Sequence, residues 1–255
     1  MSLTPPPDHP AITIVLPGPS GARQNAICID TATEMAALAL IQDGLIVAEV
    51  AWRAGKARTG RLGDRLRTLA AETGYNLAAT NIVCVCTGPG SFNGIRTGMA
   101  TAFGLALGLG APVYGASALD LLAFPHADRA PAQRALLPAG KGEFYSALFG
   151  TRGGRWRRIS PYTIGTLETL AAESPAKCLW CGTLEEDEVE RLAALLGGAR
   201  RWVTPAHNVR RAAFLLPLAL AEAMAGAPGT PESVQPLYLR RPAITKPRVA
   251  VAAAL

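Results

Sequence analysis

Histidine is scarce in this 255-residue sequence: His9, His126 and His207 are the only three, one in an N-terminal stretch and two in separate loops. No His-x-x-x-His pair can form on one helix, which excludes the usual route to a metal-dependent transferase or peptidase site. Charge is also thin, at 17% Asp, Glu, Lys and Arg against 49% hydrophobic residues. That balance excludes a disordered chain and predicts a globular one, long enough for one large or two small domains. Cysteine is present in an odd number, five, set in apolar runs, so no disulfide framework is expected and a reducing compartment is. Cys178-Leu-Trp-Cys181 has redox or zinc-ligand spacing, yet no second pair or nearby His completes a site, and the five read as buried small hydrophobes. The first 21 residues carry PPPDHP and PGPSG but neither a basic n-region nor a continuous apolar h-region. They therefore read as a poorly ordered extension rather than a secretory signal, and the expected location is cytoplasmic.

Basic residues are in excess, giving a net charge of +6. Much of this is arginine, in Arg53–Arg58 (RAGKAR), Arg152–Arg158 (RGGRWRR) and Arg240–Arg248 (RRPAITKPR). A polyanion partner such as RNA is permitted by these runs, and so is a simply solvated surface.

The chain is organised around Ile82–Val113 (IVCVCTGPGSFNGIRTGMATAFGLALGLGAPV). A β-branched apolar run, Ile82–Cys86, predicts a buried strand. Gly88, Pro89 and Gly90 break it, and Ser91 stands where a helix N-cap belongs. A helix is expected from Phe92 to about Gly110, on which Gly94, Gly98, Ala102, Ala106 and Gly110 recur at i+4. A face so bare is built for close approach by another backbone. The glycine-rich turn at a helix start could hold an anion. However, its spacing is neither the dinucleotide G-x-G-x-x-G fingerprint nor a P-loop, since no Lys-Ser or Lys-Thr follows. The uncharged run is too short for a membrane span.

Three meandering strands are expected first, at Asn25–Asp30, Met35–Gln42 and Leu45–Trp52, with Asp43-Gly44 as a hairpin turn. A helix follows over Thr59–Thr73, with Leu62, Leu66 and Leu69 on its apolar side. The second half repeats the theme: strands near Arg134–Pro138, Glu143–Phe149, Trp156–Thr163 and Lys177–Cys181, and helices near Leu167–Glu173, Leu184–Leu196 and Val209–Met224. This is mixed α/β, in two subdomains that each begin in strands. The divisions expected are a leader over 1–22, subdomains over 23–118 and 119–226, and a linker with a basic tail over 227–255.

ICIDTATEMAALALIQDG (Ile27–Gly44), TGPGSFNGIRTGMATAFGLALGLGAPVYGASALDLLA (Thr87–Ala123), KGEFYSALF (Lys141–Phe149) and QPLYLRR (Gln235–Arg241) resemble, in the right order, segments of the TsaB (YeaZ) family. The resemblance implies an actin-like (ASKHA, ribonuclease H-like) fold and a non-catalytic subunit. Such a subunit would pair with a TsaD homologue, joined by a TsaE homologue, in threonylcarbamoylation of adenosine 37 of tRNA. It would reach tRNA only indirectly, form a homodimer in isolation and touch no membrane. The implied pairing surface is the first helix and the glycine-rich helix: Leu62, Leu66, Leu69, Gly94, Gly98, Ala102 and Ala106. Candidates for nucleotide or phosphate contact are Asp30, Thr31, Gly88, Gly90 and Ser91. ATP or ADP with Mg²⁺ is the cofactor to consider there, although none is required by the chain alone. Departures from the family pattern are Arg58 where a His is usual, Gly63 and Asp64 after it, and Pro138-Ala139-Gly140 in place of Asp-Ala-Arg. Two other readings stay open. One is an ATP-dependent kinase or transferase of the same fold, using Asp30 and the Gly88–Gly90 turn; the other is a divergent paralogue with a different partner.

Overall fold

The computed structural model describes residues 24–54, 62–198 and 201–240. The leader, most of the RAGKAR run with Arg58, and the basic tail beyond Arg240 lie outside the described residues. Two five-stranded sheets carry the chain. The first contains β1 (Ala26–Asp30), β2 (Met35–Gln42), β3 (Leu45–Arg53), β4 (Ile82–Cys86) and β5 (Val113–Ala116), in the order β3-β2-β1-β4-β5. β1, β2 and β3 are antiparallel neighbours, whereas β4 runs parallel to β1 and β5 to β4. Parallel pairing requires crossovers, and α1 (Leu62–Thr73) and α2 (Phe92–Leu109) supply them.

The second sheet contains β6 (Ala132–Gly140), β7 (Glu143–Arg152), β8 (Arg155–Arg158), β9 (Thr163–Gly165) and β10 (Cys178–Gly182). Its order is β10-β6-β7-β8, with β9 also on β7. α3 (Ala118–Ala123) lies on one face, and α4 (Leu167–Ala172) with α5 (Glu186–Leu195) covers the other. Sequence reading expected one long strand over Trp156–Thr163. It is instead two short ones, because Ser160-Pro161 interrupts the ladder and proline has no N–H to give it. The expected helix over Val209–Met224 is a 3₁₀ turn at Ala212–Phe214 followed by α6 (Leu215–Met224). Both return to the first sheet, α6 against β5, β4 and β1. Residues 212–224 therefore pack with the N-terminal subdomain, not with the second subdomain to which the sequence division at 226 assigned them.

β1 alternates between two helical layers, as any strand must. Ile29 and Thr31 face α2, whereas Cys28 and Asp30 face the returning C-terminal segment. All five cysteines are buried and free. Cys178 and Cys181 belong to different apolar clusters on the two faces of β10, which removes the redox or zinc reading of their spacing. Burial pushes the Cys178 thiol up to about 12 and also raises Cys181 and Cys86 well above an ordinary thiol.

The bare row on α2 is explained here. A Cβ at Gly94 would overlap the Thr31 carbonyl oxygen, and one at Gly98 would overlap the Thr31 hydroxyl. Ala102 and Ala106 are likewise buried. By contrast, nothing lies within 4 Å of a Cβ placed on Gly104 or Gly108. Gly94→Ala is expected to lower stability by more than about 2 kcal/mol through overpacking. Gly104→Ala should raise it by about 0.5–1 kcal/mol through helix propensity. Urea unfolding of the two variants checks both signs.

Candidate functional site

The predicted site residues meet where β1 ends beside the turn that opens α2. Asp30 is fully buried, and its two oxygens have different partners. Oδ1 accepts the Ala32 amide at 2.9 Å, and Oδ2 accepts Arg210 Nε at 2.7 Å. Arg210 is also buried, and its Nη2 donates to the Thr33 hydroxyl at 2.6 Å and to the Met35 carbonyl at 2.9 Å. Burial works against the Arg210 charge, but Asp30 outweighs it and holds the guanidinium above its usual range. Thr31 donates its hydroxyl to the Gly94 carbonyl at 2.7 Å. Ser91 caps α2 by accepting the Gly94 amide at 3.3 Å, and its own amide donates to the Ala32 carbonyl at 2.6 Å. Gly88 accepts the Ala118 amide through its carbonyl at 2.7 Å, and a Cβ on Gly90 would overlap the Ala32 carbonyl oxygen.

The five nucleotide or phosphate candidates are thus brought together, but the polar groups named above bond to other residues of the chain. Asp30 has both oxygens engaged out of water, which does not fit a hydrated Mg²⁺ beside a nucleotide. Among the described residues no group of three or more His, Cys, Asp or Glu side chains is placed to hold a metal ion. Arg210 is the residue that sequence reasoning missed. It lies 180 positions from Asp30, and an arginine pair before an apolar run carries no signal of a buried partner.

The pairing candidates need a correction too. Leu62 and Leu66 are buried against the first sheet, and Leu69 is half-buried there. Gly94, Gly98, Ala102 and Ala106 pack inward, as described above. Of the seven, Leu69 keeps part of its side chain exposed and the other six are buried. What α2 presents outward is a second row two positions on: Ala100, Gly104 and Gly108 are exposed, and Leu107 beside them is 84% exposed.

Comparison with known proteins places the chain. A family model described as TsaD, tRNA N6-adenosine threonylcarbamoyltransferase, matches residues 48–176. The tRNA threonylcarbamoyladenosine biosynthesis protein TsaB of Escherichia coli (strain K12) is 35% identical over 125 residues, covering 48% of this chain and 54% of that protein. The chain belongs to the TsaB (YeaZ) family. Its namesake from Bacillus subtilis (strain 168) is 24% identical over 135 residues, covering 53% of this chain and 59% of that protein. This chain spans about half the length of the curated relatives it matches. YeaZ from Pseudomonas aeruginosa, a solved structure, superposes with a TM-score of 0.69 at 24% identity, over 85% of this chain and all of that one. The fold is the actin-like one, with two mixed sheets flanked by helices.

Two cavities lie beside the elements that in this TsaB-family chain join the sheets. One, of about 660 Å³, opens between β5, α6 and β8 and is lined by Tyr114, Asp120, Trp156, Arg158, Tyr162 and Leu218. Burial raises the Asp120 carboxyl above its ordinary value, against the opposing pull of hydrogen bonds from Ser117 and Tyr162. The Tyr162 hydroxyl donates to Asp120 at 2.9 Å. The other, of about 450 Å³, is lined by Glu49, His126, Arg129, His207, Arg210 and Phe214. His126 is buried, and its Nε2 lacks a hydrogen-bond partner. Burial, with Arg129 beside it, pushes the imidazole below its ordinary 6.5. Among the described residues no helix is long and apolar enough to cross a membrane.

Two outcomes follow from this geometry. Arg210→Met leaves Asp30 as an unpaired buried charge and should cost about 3–5 kcal/mol, of which Asp30→Asn combined with Arg210→Met recovers a large part. Denaturant unfolding of the single and double variants measures both. For His126 the folded chain resists protonation more than the unfolded chain does. Its contribution is therefore fully present above about pH 6.5 and lost as the pH falls below it. His126→Gln should flatten that part of the stability–pH curve.

Proposed function

We propose that this chain is a TsaB-type accessory subunit of tRNA threonylcarbamoyladenosine biosynthesis, which pairs with a TsaD homologue and performs no chemistry alone. The observation that carries the reading is the outer face of α2. Beyond the exposed Arg96, this 18-residue helix presents Ala100, Gly104, Leu107 and Gly108 along one side, where a solvated helix would carry further charged residues. Small residues there let another helix approach closely, and Leu107 supplies the apolar area that its burial would remove from water. The relatives named above support the pathway, since two of them carry the name of a tRNA threonylcarbamoyladenosine biosynthesis protein. The closure of Asp30 by Arg210 supports an accessory role, because the carboxylate that an actin-like phosphotransferase would direct at a cation is here a structural anion.

On this reading the chain alone requires no cofactor. A TsaE homologue joins the pair, tRNA is met through the partner, and the isolated chain uses the same helix face to form a homodimer. Gly98 is not the residue to test it, since a side chain there strikes Thr31 within the chain. Gly104→Leu and Leu107→Asp are the appropriate variants, because both positions are open. Light scattering of the purified chain mixed with the TsaD homologue of the same organism should show a defined heteromer. Either substitution should weaken it at least tenfold while thermal unfolding still shows a folded chain, no less stable for Gly104→Leu. A heteromer that ignores both variants would remove the α2 surface from the reading; absence of any heteromer would remove the reading itself.

A further inference from the structure

The arginine run Arg152–Arg158 has found no role so far. It forms the β7–β8 hairpin, closed by Gly153 and Gly154, both with positive φ, as a two-residue turn of this kind requires. Arg152, Arg155, Arg157 and Arg158 are all exposed. Between Glu143 and Glu168 the sequence holds no carboxylate side chain. The contrast with arginines elsewhere is sharp: Arg53, Arg67, Arg191, Arg210, Arg211 and Arg240 each pair with an Asp or Glu. Among the described residues none of the four hairpin arginines forms such a pair. Arg152 stands directly opposite Arg155 in the ladder, and like charges so placed repel. Four positive charges are thus concentrated on this hairpin, three of them on its short edge strand, and among the described residues none has an ion-pair partner, although Arg158 acts at longer range on Asp120.

The edge is also rigid. Trp156 anchors it from the inner side, stacked on Phe149 at 5.1 Å, edge-on to Phe124 at 5.2 Å, with its indole N–H donating to Gln133 at 3.0 Å. Strand alternation then places Arg155 and Arg157 together on the outer side, roughly 6.6 Å apart along the strand, a step comparable to that between successive phosphates of an extended nucleic-acid strand. Arg158 lies on the Trp156 side, its guanidinium flat over the Tyr162 ring at 4.0 Å and donating to the Ser160 carbonyl at 3.0 Å. It separates two spaces. Outside is a shallow groove lined by Arg152, Arg157, Arg158 and Ser160; inside is the 660 Å³ cavity with the Tyr114, Trp156 and Tyr162 rings in its wall.

We propose that this hairpin is a binding surface for single-stranded RNA, its outer arginines on the phosphates and the aromatic-walled cavity behind Arg158 open to an unpaired base. Regularly spaced guanidinium groups beside part-exposed rings are what single-strand recognition uses, the charge following the backbone and the remaining ring surface taking a base. An acidic protein would use the charges but not the cavity. The inference rests on the tRNA reading for where RNA would be met, and goes beyond it in giving this chain a direct contact.

The test uses the full chain without partner and a fluorescein-labelled fifteen-nucleotide oligouridine, followed by anisotropy across a salt series. The parent chain should bind it, and Arg152→Ala/Arg155→Ala/Arg157→Ala should lose at least tenfold in affinity. The log–log salt slope should fall by about two, at roughly 0.7 per phosphate contact removed. Arg67→Ala, which removes an exposed arginine from α1, should change neither. Unlabelled oligouridine should compete better than inorganic polyphosphate or polyglutamate at matched charge. Failure of the parent chain to bind at low salt, unchanged binding by the triple variant, or equal competition by polyphosphate or polyglutamate would each overturn the proposal. The three arginines are exposed, so an unaltered melting temperature is expected and confirms that a loss is local. Light scattering of the triple variant with the TsaD homologue separates the two readings: pairing should persist where RNA binding is lost.

Discussion

The Asp30–Arg210 pair is the constraint around which the two halves of the chain are arranged. Asp30 ends the central strand of the first sheet, and Arg210 arrives on a segment that has already passed through the second sheet. Burying both charges costs several kcal/mol per ion unless every donor and acceptor is matched. Here the matching is close: Arg210 reaches Asp30, Thr33 and Met35, and the Ala32 amide takes the remaining carboxylate oxygen. One position further, Arg211 pairs with Glu49 on β3, and Glu49 also accepts the Ala213 amide. Arg210 and Arg211 thereby fix where the following apolar helix, α6, lands on the sheet. The opposite face of the same strand end is fixed by Thr31 against the glycine row of α2. One turn of chain, Asp30-Thr31-Ala32, is thus clamped from two sides, with both Asp30 oxygens and the Thr31 hydroxyl engaged within the chain.

Much of this fold is legible in the sequence because periodicity and punctuation agree. Ile82–Cys86 is an unbroken β-branched and cysteine run ended by glycine and proline, and β4 has those limits. Ser91 and Ser117 both cap helices, each accepting the amide three residues on. Gly110 closes α2 in a left-handed conformation that a glycine adopts without cost. The strands of the first sheet, Met35–Gln42 above all, show in the pattern because a hairpin fixes their register locally.

The site was less legible, and the reasons are geometric. Sequence pattern tells that the Gly94–Gly98–Ala102–Ala106 row must be touched closely, but not by what. A β-strand of the same chain and a helix of another chain exert the same steric demand for a missing side chain. Only the positions of Ile29 and Thr31 decide that the inner row is used within the chain and that the outer row, Ala100, Gly104 and Gly108, is the one left exposed. The same holds for Asp30. A carboxylate at a strand end can meet a cation or a guanidinium, and the arginine that takes it is too distant in sequence for spacing to reveal. The Cys178–Cys181 spacing is the reverse case, a pattern with chemical meaning that β-alternation cancels by sending the two thiols to opposite faces of β10.

QPLYLRR shows how a motif can be held in place by structural contacts of its own. Gly229, just before it, accepts the Val113 amide at the edge of the first sheet, and the Leu237 amide donates to the Thr87 carbonyl at 2.8 Å. Tyr238 then stacks on Phe92 at the start of α2, with ring centres 5.0 Å apart. Arg240 crosses to the second sheet, where it bonds the Ala139 carbonyl at 2.8 Å and pairs with Glu143 across the β6–β7 turn. The segment therefore ties the glycine-rich turn, the helix that follows it and the far hairpin by contacts that need an amide, a ring and a fork of N–H donors in that order. Tyr238 and Arg240 are each suited to the element they meet, which gives those two positions of the motif a structural reason. It also leaves the outer face of α2 and the β7–β8 edge as surfaces whose composition no contact within the described chain explains.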